Sequence, residues 1–134
     1  MPENNAFPPA RPHDEYKQIF ENIYLIKGCM SIKGRLPLSF SRNMTIIRED
    51  KALTLINTVR LNESGLTQLE TLGTVKNIIR LAGFHGMDDA FYKDRYAAKV
   101  WSVNAPYFKG VNFDIEIQDG YFQADIFIDD TTVL

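Results

Sequence analysis

A strand–helix–strand succession in the middle of the chain constrains its fold most. Ala52–Ile56 is a continuous apolar and β-branched run, which is typical of a strand buried on both faces. A helix follows, because Asn62 can cap its first amides and Gly73 is placed to end it. Its apolar stripe consists of Leu66, Leu69 and Leu72. Val75–Leu81 is the next strand, so this region predicts a right-handed crossover between two parallel strands.

Other strands are expected before this crossover. Ile23–Ile26 is predicted to be the first strand, with Gly28 at its bend. Leu36–Phe40 contains Pro37, which favours an edge or a loop. Met44–Ile47 is a more convincing strand and is expected to form a hairpin with the strand that precedes the helix, across a charged turn.

The α/β pattern continues after the crossover. A short helix is predicted next, capped by Asp88 and Asp89 and ending near Tyr96. Three strands are predicted after it, over Ala98–Val103, Val111–Ile117 and Tyr121–Ile128. An Asp119–Gly120 turn joins the last two. We therefore expect an α/β fold with a mixed sheet and flanking helices.

Composition narrows the class of protein. A formal net charge of -2 offers no excess of positive charge for nucleic acid, so no nucleic-acid partner is expected. One cysteine, Cys29, cannot form an internal disulfide. The sequence shows no secretion signal and no membrane span, so we expect a cytoplasmic protein without a membrane partner. Residues 1–13 carry four prolines and are expected to form an extended arm or a disordered tail outside the core, and residues 14–134 are expected to form a single domain.

The crossover has a family resemblance. Residues 52–89, ALTLINTVRLNESGLTQLETLGTVKNIIRLAGFHGMDD, resemble the first metal-binding crossover of the metallo-β-lactamase superfamily. In that family a strand ends in an Asp-Thr-Gly-like turn, a helix follows, and the next strand leads into His-x-His-x-Asp-His. Here Asn57 stands at the Asp position, Thr58 matches the Thr, and Val59 replaces the Gly.

The second motif of the family corresponds to residues 85–90 of this chain. His85 matches the first His and Asp89 the Asp, so the resemblance implies that these two residues are the remaining metal ligands. Met87 replaces the second His and Ala90 the last, while Asp88 fills the variable position between them. Because a thioether is a poor zinc ligand and a methyl group is none, we expect no cofactor, with zinc as the alternative.

The resemblance also implies a size and a choice of functions. The family's full domain is an αββα sandwich longer than this chain, so we expect a metallo-β-lactamase-like half-sandwich, incomplete by itself. Its uncovered sheet face predicts a homo-oligomer or association with a complementary C-terminal half. We expect a non-hydrolytic binding or structural protein. The alternatives are the N-terminal half of a metal-dependent hydrolase and an unrelated small α/β binding module.

Each candidate residue also has a purely structural interpretation. Asp88 and Asp89 can be helix caps, and His85 can hydrogen-bond local backbone. Cys29 can be an inert core residue or a nucleophile with His85. Four arginines could bind an anion or lie solvated on the surface: Arg35, Arg42, Arg48 and Arg60. The aromatic residues that follow Asp89 can line a pocket or belong to the core or an interface.

Overall fold

The computed structural model describes residues 7–32, 35, 38–81, 86–103 and 113–117. In this part of the chain seven strands form one mixed sheet with the order β1-β2-β3-β4-β5-β6-β7, and two helices accompany it. The elements are β1 Lys17–Phe20, β2 Ile23–Ile32, β3 Leu38–Glu49, β4 Ala52–Ile56, α1 Glu63–Leu72, β5 Thr74–Arg80, α2 Asp89–Tyr96, β6 Lys99–Val103 and β7 Ile115–Ile117. Strands β1 to β4 pair antiparallel, and β4 to β7 pair parallel.

The predicted crossover is confirmed. β4 and β5 are parallel neighbours, with Leu55 beside Ile78 in the register. Between them, α1 begins after Asn62, whose side chain accepts a hydrogen bond from the amide of Gly65 at 2.8 Å. Helix α1 ends at Leu72, as Gly73 indicated. The mixed sheet with helices confirms the α/β fold class.

The long β2–β3 hairpin differs from the prediction in three ways. Ile23–Ile26 belongs to the second strand, because β1 precedes it and pairs with it. Gly28 does not bend the strand but pairs with Arg42 in the ladder. β3 begins at Leu38, inside the segment expected to be an edge or a loop. The ladder with β2 continues to the Ile32–Leu38 pair, and this pairing outweighs the weak local preference of the sequence.

Gly28 has a packing role instead of a bending role. A β-carbon at this position would lie 2.8 Å from Cγ1 of Val59, in the loop after β4. The glycine therefore allows that loop to approach the hairpin closely.

The later elements follow the prediction in part: the strand expected over Val111–Ile117 begins only at Ile115, and Phe113 and Asp114 lie before it. α2 and β6 are present, and β7 pairs with β6 as the fourth strand of the parallel part of the sheet. Ile115 and Ile117 are half-buried around exposed Glu116, which confirms the alternation there. The predicted Asp119–Gly120 turn and the strand over Tyr121–Ile128 lie outside the described residues.

The core has two clusters on opposite faces of the sheet. The larger one joins side chains of both helices, including Leu66, Leu69 and Tyr92, to the strands. The smaller one consists of Ile47, Ile56 and Ile79, with Trp101 and Ile117 packed against it. Since neighbouring residues of a strand point to opposite faces, Leu55 and Ile56 belong to different clusters.

This burial changes the expectation of an uncovered sheet face. Ile56 is 3% and Ile79 1% exposed, so the central strands are already buried on both faces. Within the described ranges, the large apolar side chains that remain exposed lie elsewhere: Phe20, Phe40 and Leu81. The helices of the described part have ten and eight residues, and neither could cross a membrane.

The described part of the arm is extended but contributes to the core, contrary to the expectation. Phe7 packs against the larger cluster, and its ring meets that of Phe91 edge to face, with centroids 6.0 Å apart. The apolar ring outweighs the proline-rich composition around it, because its burial stabilises the docked arm.

Candidate functional site

Side chains from the ends of three parallel strands, β4, β5 and β6, meet at one edge of the sheet, and β6 contributes Ser102. β4 ends at Ile56 and is followed by Asn57 and Thr58, while β5 ends at Arg80. The carboxyl ends of parallel strands lie together, and ligands of open α/β sheets bind at this edge. Helix α2 starts at the same edge with Asp89.

Two positions of the family-like motifs are in direct contact. The hydroxyl of Thr58 donates a hydrogen bond of 2.6 Å to Oδ1 of Asp89. Thr58 is 1% and Asp89 0% exposed, so water does not compete for this bond. Asn57 adopts the left-handed conformation with a φ of 57°, and its backbone amide donates a hydrogen bond of 3.1 Å to the backbone carbonyl of Ile79. The turn after β4 is therefore fixed to both β5 and α2.

Asp89 also faces a buried cation. Nη1 of Arg80 lies 3.9 Å from Oδ2 of Asp89, and Nε of Arg80 donates to the Ser102 hydroxyl at 3.2 Å. Gly86 allows this approach, because a β-carbon there would lie 2.8 Å from Cδ of Arg80 and 3.2 Å from Oδ2 of Asp89. Burial raises the pKa of Asp89 above its usual value, although Thr58 and Arg80 act in the opposite direction.

Asp88 has a partner of its own. Its Oδ2 accepts a 2.7 Å hydrogen bond from Nη2 of Arg42 and a 2.9 Å bond from the backbone amide of Arg60. Asp88 is the N-cap residue of α2, as predicted, but its side chain forms no capping hydrogen bond. The charge-assisted bond to Arg42, which is 8% exposed, is stronger than a neutral cap. Arg42 is therefore not the solvated arginine that we considered.

The loop between β4 and α1 is held by an aromatic pair from α2. The hydroxyl of Tyr92 donates to the carbonyl of Val59 at 2.6 Å and accepts from the amide of Leu61 at 3.2 Å. Burial raises the pKa of Tyr92, so its hydroxyl remains a donor at neutral pH. The guanidinium of Arg60 stacks 4.3 Å from the centroid of Phe91. These contacts place the amide of Arg60 against Asp88.

The other candidate residues are not brought into one described cluster. His85 lies outside the described residues. Met87 and Ala90 are half-buried. The thiol of Cys29 donates to the carbonyl of Pro12 at 3.3 Å, so its described partner is the arm and not the site.

Sequence reasoning did not name Arg80, and it considered Arg42 only as an anion-binding or solvated arginine and not as the partner of Asp88. Arg80 follows Ile78 and Ile79, and a charge inside a buried strand is a signal that it has a partner. Arg42 gave no such signal, since its neighbours Ser41 and Asn43 are polar and exposed.

Comparisons with known proteins support the fold. No family model matches the chain, and no curated protein matches it. Among solved structures, VMB-1 superposes with a TM-score of 0.60 at 12% identity, over 81% of this chain and 53% of that one. DIM-1 metallo-β-lactamase gives 0.55 at 9% identity, over 79% of this chain and 52% of its own. FIM-1 metallo-β-lactamase from Pseudomonas aeruginosa, in its mono-zinc form, gives a TM-score of 0.53 at 10% identity, over 80% of this chain and 54% of its own.

These likenesses define a class of fold. The chain has a metallo-β-lactamase-like α/β fold and spans about half the length of each of these structures. At such low identity the likeness concerns the fold alone.

The zinc of the mono-zinc neighbour raises the question of whether the described residues here fit a metal. Among them, no group of three or more His, Cys, Asp or Glu side chains could hold one. Asp88 and Asp89 each face an arginine, and Met87 and Ala90 offer a thioether and a methyl group. A structural or catalytic zinc site needs at least three protein ligands, so the described residues do not fit zinc.

Proposed function

We propose that this chain is a non-hydrolytic protein of metallo-β-lactamase-like fold with a binding or structural role. The observation that carries this proposal is the position of Asp89, between the Thr58 hydroxyl and the Arg80 guanidinium. An arginine is charged at every physiological pH and can neutralise a buried carboxylate without a metal. Two such pairs, Arg42–Asp88 and Arg80–Asp89, hold the loop after β4, strands β3 and β5, and helix α2 together.

This arrangement favours a rigid sheet edge over a hydrolytic centre. Metal-dependent hydrolysis requires a metal ion that lowers the pKa of its bound water. A divalent cation at Asp89 would lie beside Arg80 and would experience charge repulsion. Buried carboxylates that are already paired have less to gain from a metal.

A metal-dependent hydrolase is the second candidate function, because two buried carboxylate oxygens could bind a cation. Oδ1 of Asp88 and Oδ2 of Asp89 are buried and accept no hydrogen bond from the described residues. A cation bound to these oxygens would satisfy them. His85 would be its third ligand under this alternative.

Elemental analysis of the full chain separates the two candidates. The protein is expressed with added zinc, dialysed against a weak chelator and analysed by mass spectrometry. We expect no stoichiometric zinc. Retention of about one zinc per chain in the wild type, with loss in both Asp89→Asn and His85→Ala, would contradict the metal-free site and support the hydrolase alternative. Asp94→Asn is the matched aspartate control, because Asp94 lies exposed on α2 and outside the two buried ion pairs.

A further proposal concerns assembly: the chain forms a homo-oligomer or associates with a complementary C-terminal half. Three exposed large apolar side chains support it, Phe20, Phe40 and Leu81. Sedimentation equilibrium at high micromolar concentration tests self-association. A well-folded monomer without dye-binding apolar surface would contradict both forms of the proposal.

A further inference from the structure

The arm, here defined as residues 7–13, is attached to the domain at several points. The carbonyl of Pro12 accepts the Cys29 thiol, and His13 forms an isolated antiparallel bridge with Gly28. Directly after the arm, the amide of Asp14 donates to the carbonyl of Lys27 at 2.8 Å. The arm therefore follows the free edge of β2 beyond the short strand β1.

His13 is the link between the arm and helix α1. Its Nε2 accepts a 2.9 Å hydrogen bond from the backbone amide of Asn62, and its Nδ1 lies 2.8 Å from the carbonyl of Asp14. A backbone amide can only donate, so Nε2 must be unprotonated, and Nδ1 carries the proton and donates to Asp14. This geometry requires the neutral imidazole in one tautomer.

Protonation of His13 is incompatible with this contact. The imidazolium would place an Nε2 proton against the amide proton of Asn62, so one hydrogen bond is lost and two donors face each other. Its positive charge would also lie at the N-terminus of α1, where the helix dipole disfavours cations. Asp14 and Glu15 line the same shallow pocket as His13, and Glu63 follows Asn62 in the first turn of α1. These carboxylates attract a positive charge, but they do not accept the hydrogen bond that the backbone amide of Asn62 would lose.

The arm is also connected to the candidate site. Nη1 of Arg60 donates to the carbonyls of Phe7 and Pro8, and the backbone amide of the same arginine binds Asp88. Phe7 and Arg60 both contact the ring of Phe91. Release of the arm would remove two acceptors and one aromatic neighbour from this group.

We propose that His13 is a pH-sensitive latch that holds the arm against the domain when neutral and releases it when protonated. Because the docked arm requires the neutral form, the arm stays docked at higher pH and is released as the pH falls. Through Arg60, release loosens the loop that presents its amide to Asp88.

Thiol labelling of Cys29 tests the latch, because the thiol of this half-buried, unique cysteine donates a hydrogen bond to the carbonyl of Pro12 and loses that partner when the arm is released. The reagent is a dipyridyl disulfide, which reacts at acidic as well as neutral pH. The comparison uses the full chain, His13→Gln and His13→Ala. Glutamine places an amide oxygen near the Nε2 position and does not titrate, so it keeps the arm docked at every pH. The variants are compared with wild type at the same pH, so that the effect of pH on the labelling reaction itself is the same for all of them.

We expect wild type and His13→Gln to react at equal rates at pH 8. At pH 5 we expect wild type to react about fivefold faster than His13→Gln. His13→Ala should react faster than His13→Gln at both pH values. Equal rates of wild type and His13→Gln at pH 5 would overturn the latch, and so would an Ala variant that reacts no faster. Far-UV circular dichroism verifies that each variant is folded.

A second variant tests the same contact from the helix side. A β-carbon at Gly65 would lie 2.8 Å from Cε1 of His13. Gly65→Ala should therefore displace His13 and expose Cys29 at pH 8, although alanine favours the helix. A Gly65→Ala protein with the wild-type labelling rate at pH 8 would show that His13 does not hold the arm.

Discussion

The hydroxyl of Thr58 and Oδ1 of Asp89 form a 2.6 Å hydrogen bond between residues 31 positions apart in the chain. This bond connects the turn after β4 to the first residue of α2. In the family that the sequence resembles, these positions belong to two separate motifs of a metal site. Here they are joined directly, with Arg80 as the neighbouring positive charge.

Removal of the Thr58 hydroxyl should destabilise the fold. Thr58→Val keeps the shape of the side chain but leaves Oδ1 of Asp89 buried and unpaired, at a cost of about 1–3 kcal/mol in the free energy of unfolding. Urea denaturation followed by circular dichroism measures it. Thr67→Val is the matched control, because Thr67 is exposed on α1 and should change stability by less than about 0.5 kcal/mol. Equal effects of both substitutions would show that the Thr58 bond contributes nothing.

Loss of Arg42 should be more severe. Arg42→Met leaves the carboxylate of Asp88 buried with the Arg60 amide as its remaining described partner, and breaking a buried ion pair in this way costs about 3–5 kcal/mol. The double variant Arg42→Met/Asp88→Asn should recover part of this loss, because neither position then carries an unpaired buried charge. Arg35→Met is the exposed control. A double variant less stable than Arg42→Met in thermal and urea unfolding would contradict the ion-pair interpretation.

The sequence predicts local elements of this fold well and its charge pairs poorly. α1 follows from the Asn62 cap, the leucine spacing and Gly73, all within one segment. Arg42 and Asp88 are 46 residues apart, so their pairing depends on how the hairpin lies over the start of α2. Likewise, Gly28 was misassigned because its close neighbour, Val59, lies in a distant loop. Resemblance placed Thr58 and Asp89 at the same sheet edge, but only the structure gives their hydrogen bond.

The close approach at Gly28 yields a packing prediction. Gly28→Ala should push against Cγ1 of Val59 and destabilise the fold by about 1–3 kcal/mol, because the β-branched side chain has little freedom to move. The double variant Gly28→Ala/Val59→Ala should be less destabilised than the sum of the two single variants. A simple sum in a double-mutant cycle would mean that the two positions do not contact each other.

Restoration of the family's histidines tests the role of Arg80. Met87→His/Ala90→His supplies imidazoles at both altered motif positions, yet Arg80 still faces Asp89, so we expect only weak zinc binding. Addition of Arg80→Leu removes the competing cation and should increase zinc affinity by about tenfold or more. Isothermal titration with zinc measures both variants. If the affinities are equal, Arg80 does not exclude the metal.

The raised pKa of Asp89 gives a pH dependence of stability with a definite sign. Burial raises this pKa above the ordinary 3.8, so the folded protein binds the proton more tightly than the unfolded chain does. The ionised carboxylate therefore lowers stability above the folded pKa. As the pH falls through that value toward 3.8, the penalty is progressively relieved.

Asp89→Asn isolates this contribution, because asparagine does not titrate and all other groups are shared. The free energy of unfolding is measured in urea from about pH 7.5 down to pH 4.5, and the variant's value is subtracted from that of the wild type. We expect the difference to rise as the pH falls. Asp114→Asn provides the opposite control, since Lys93 and the amide of Val100 lower the pKa of Asp114. Its stabilising contribution is lost on acidification and is small, because its side chain is 41% exposed. A difference for Asp89 that stays flat or decreases on acidification would mean that Thr58 and Arg80 outweigh burial and hold Asp89 ionised.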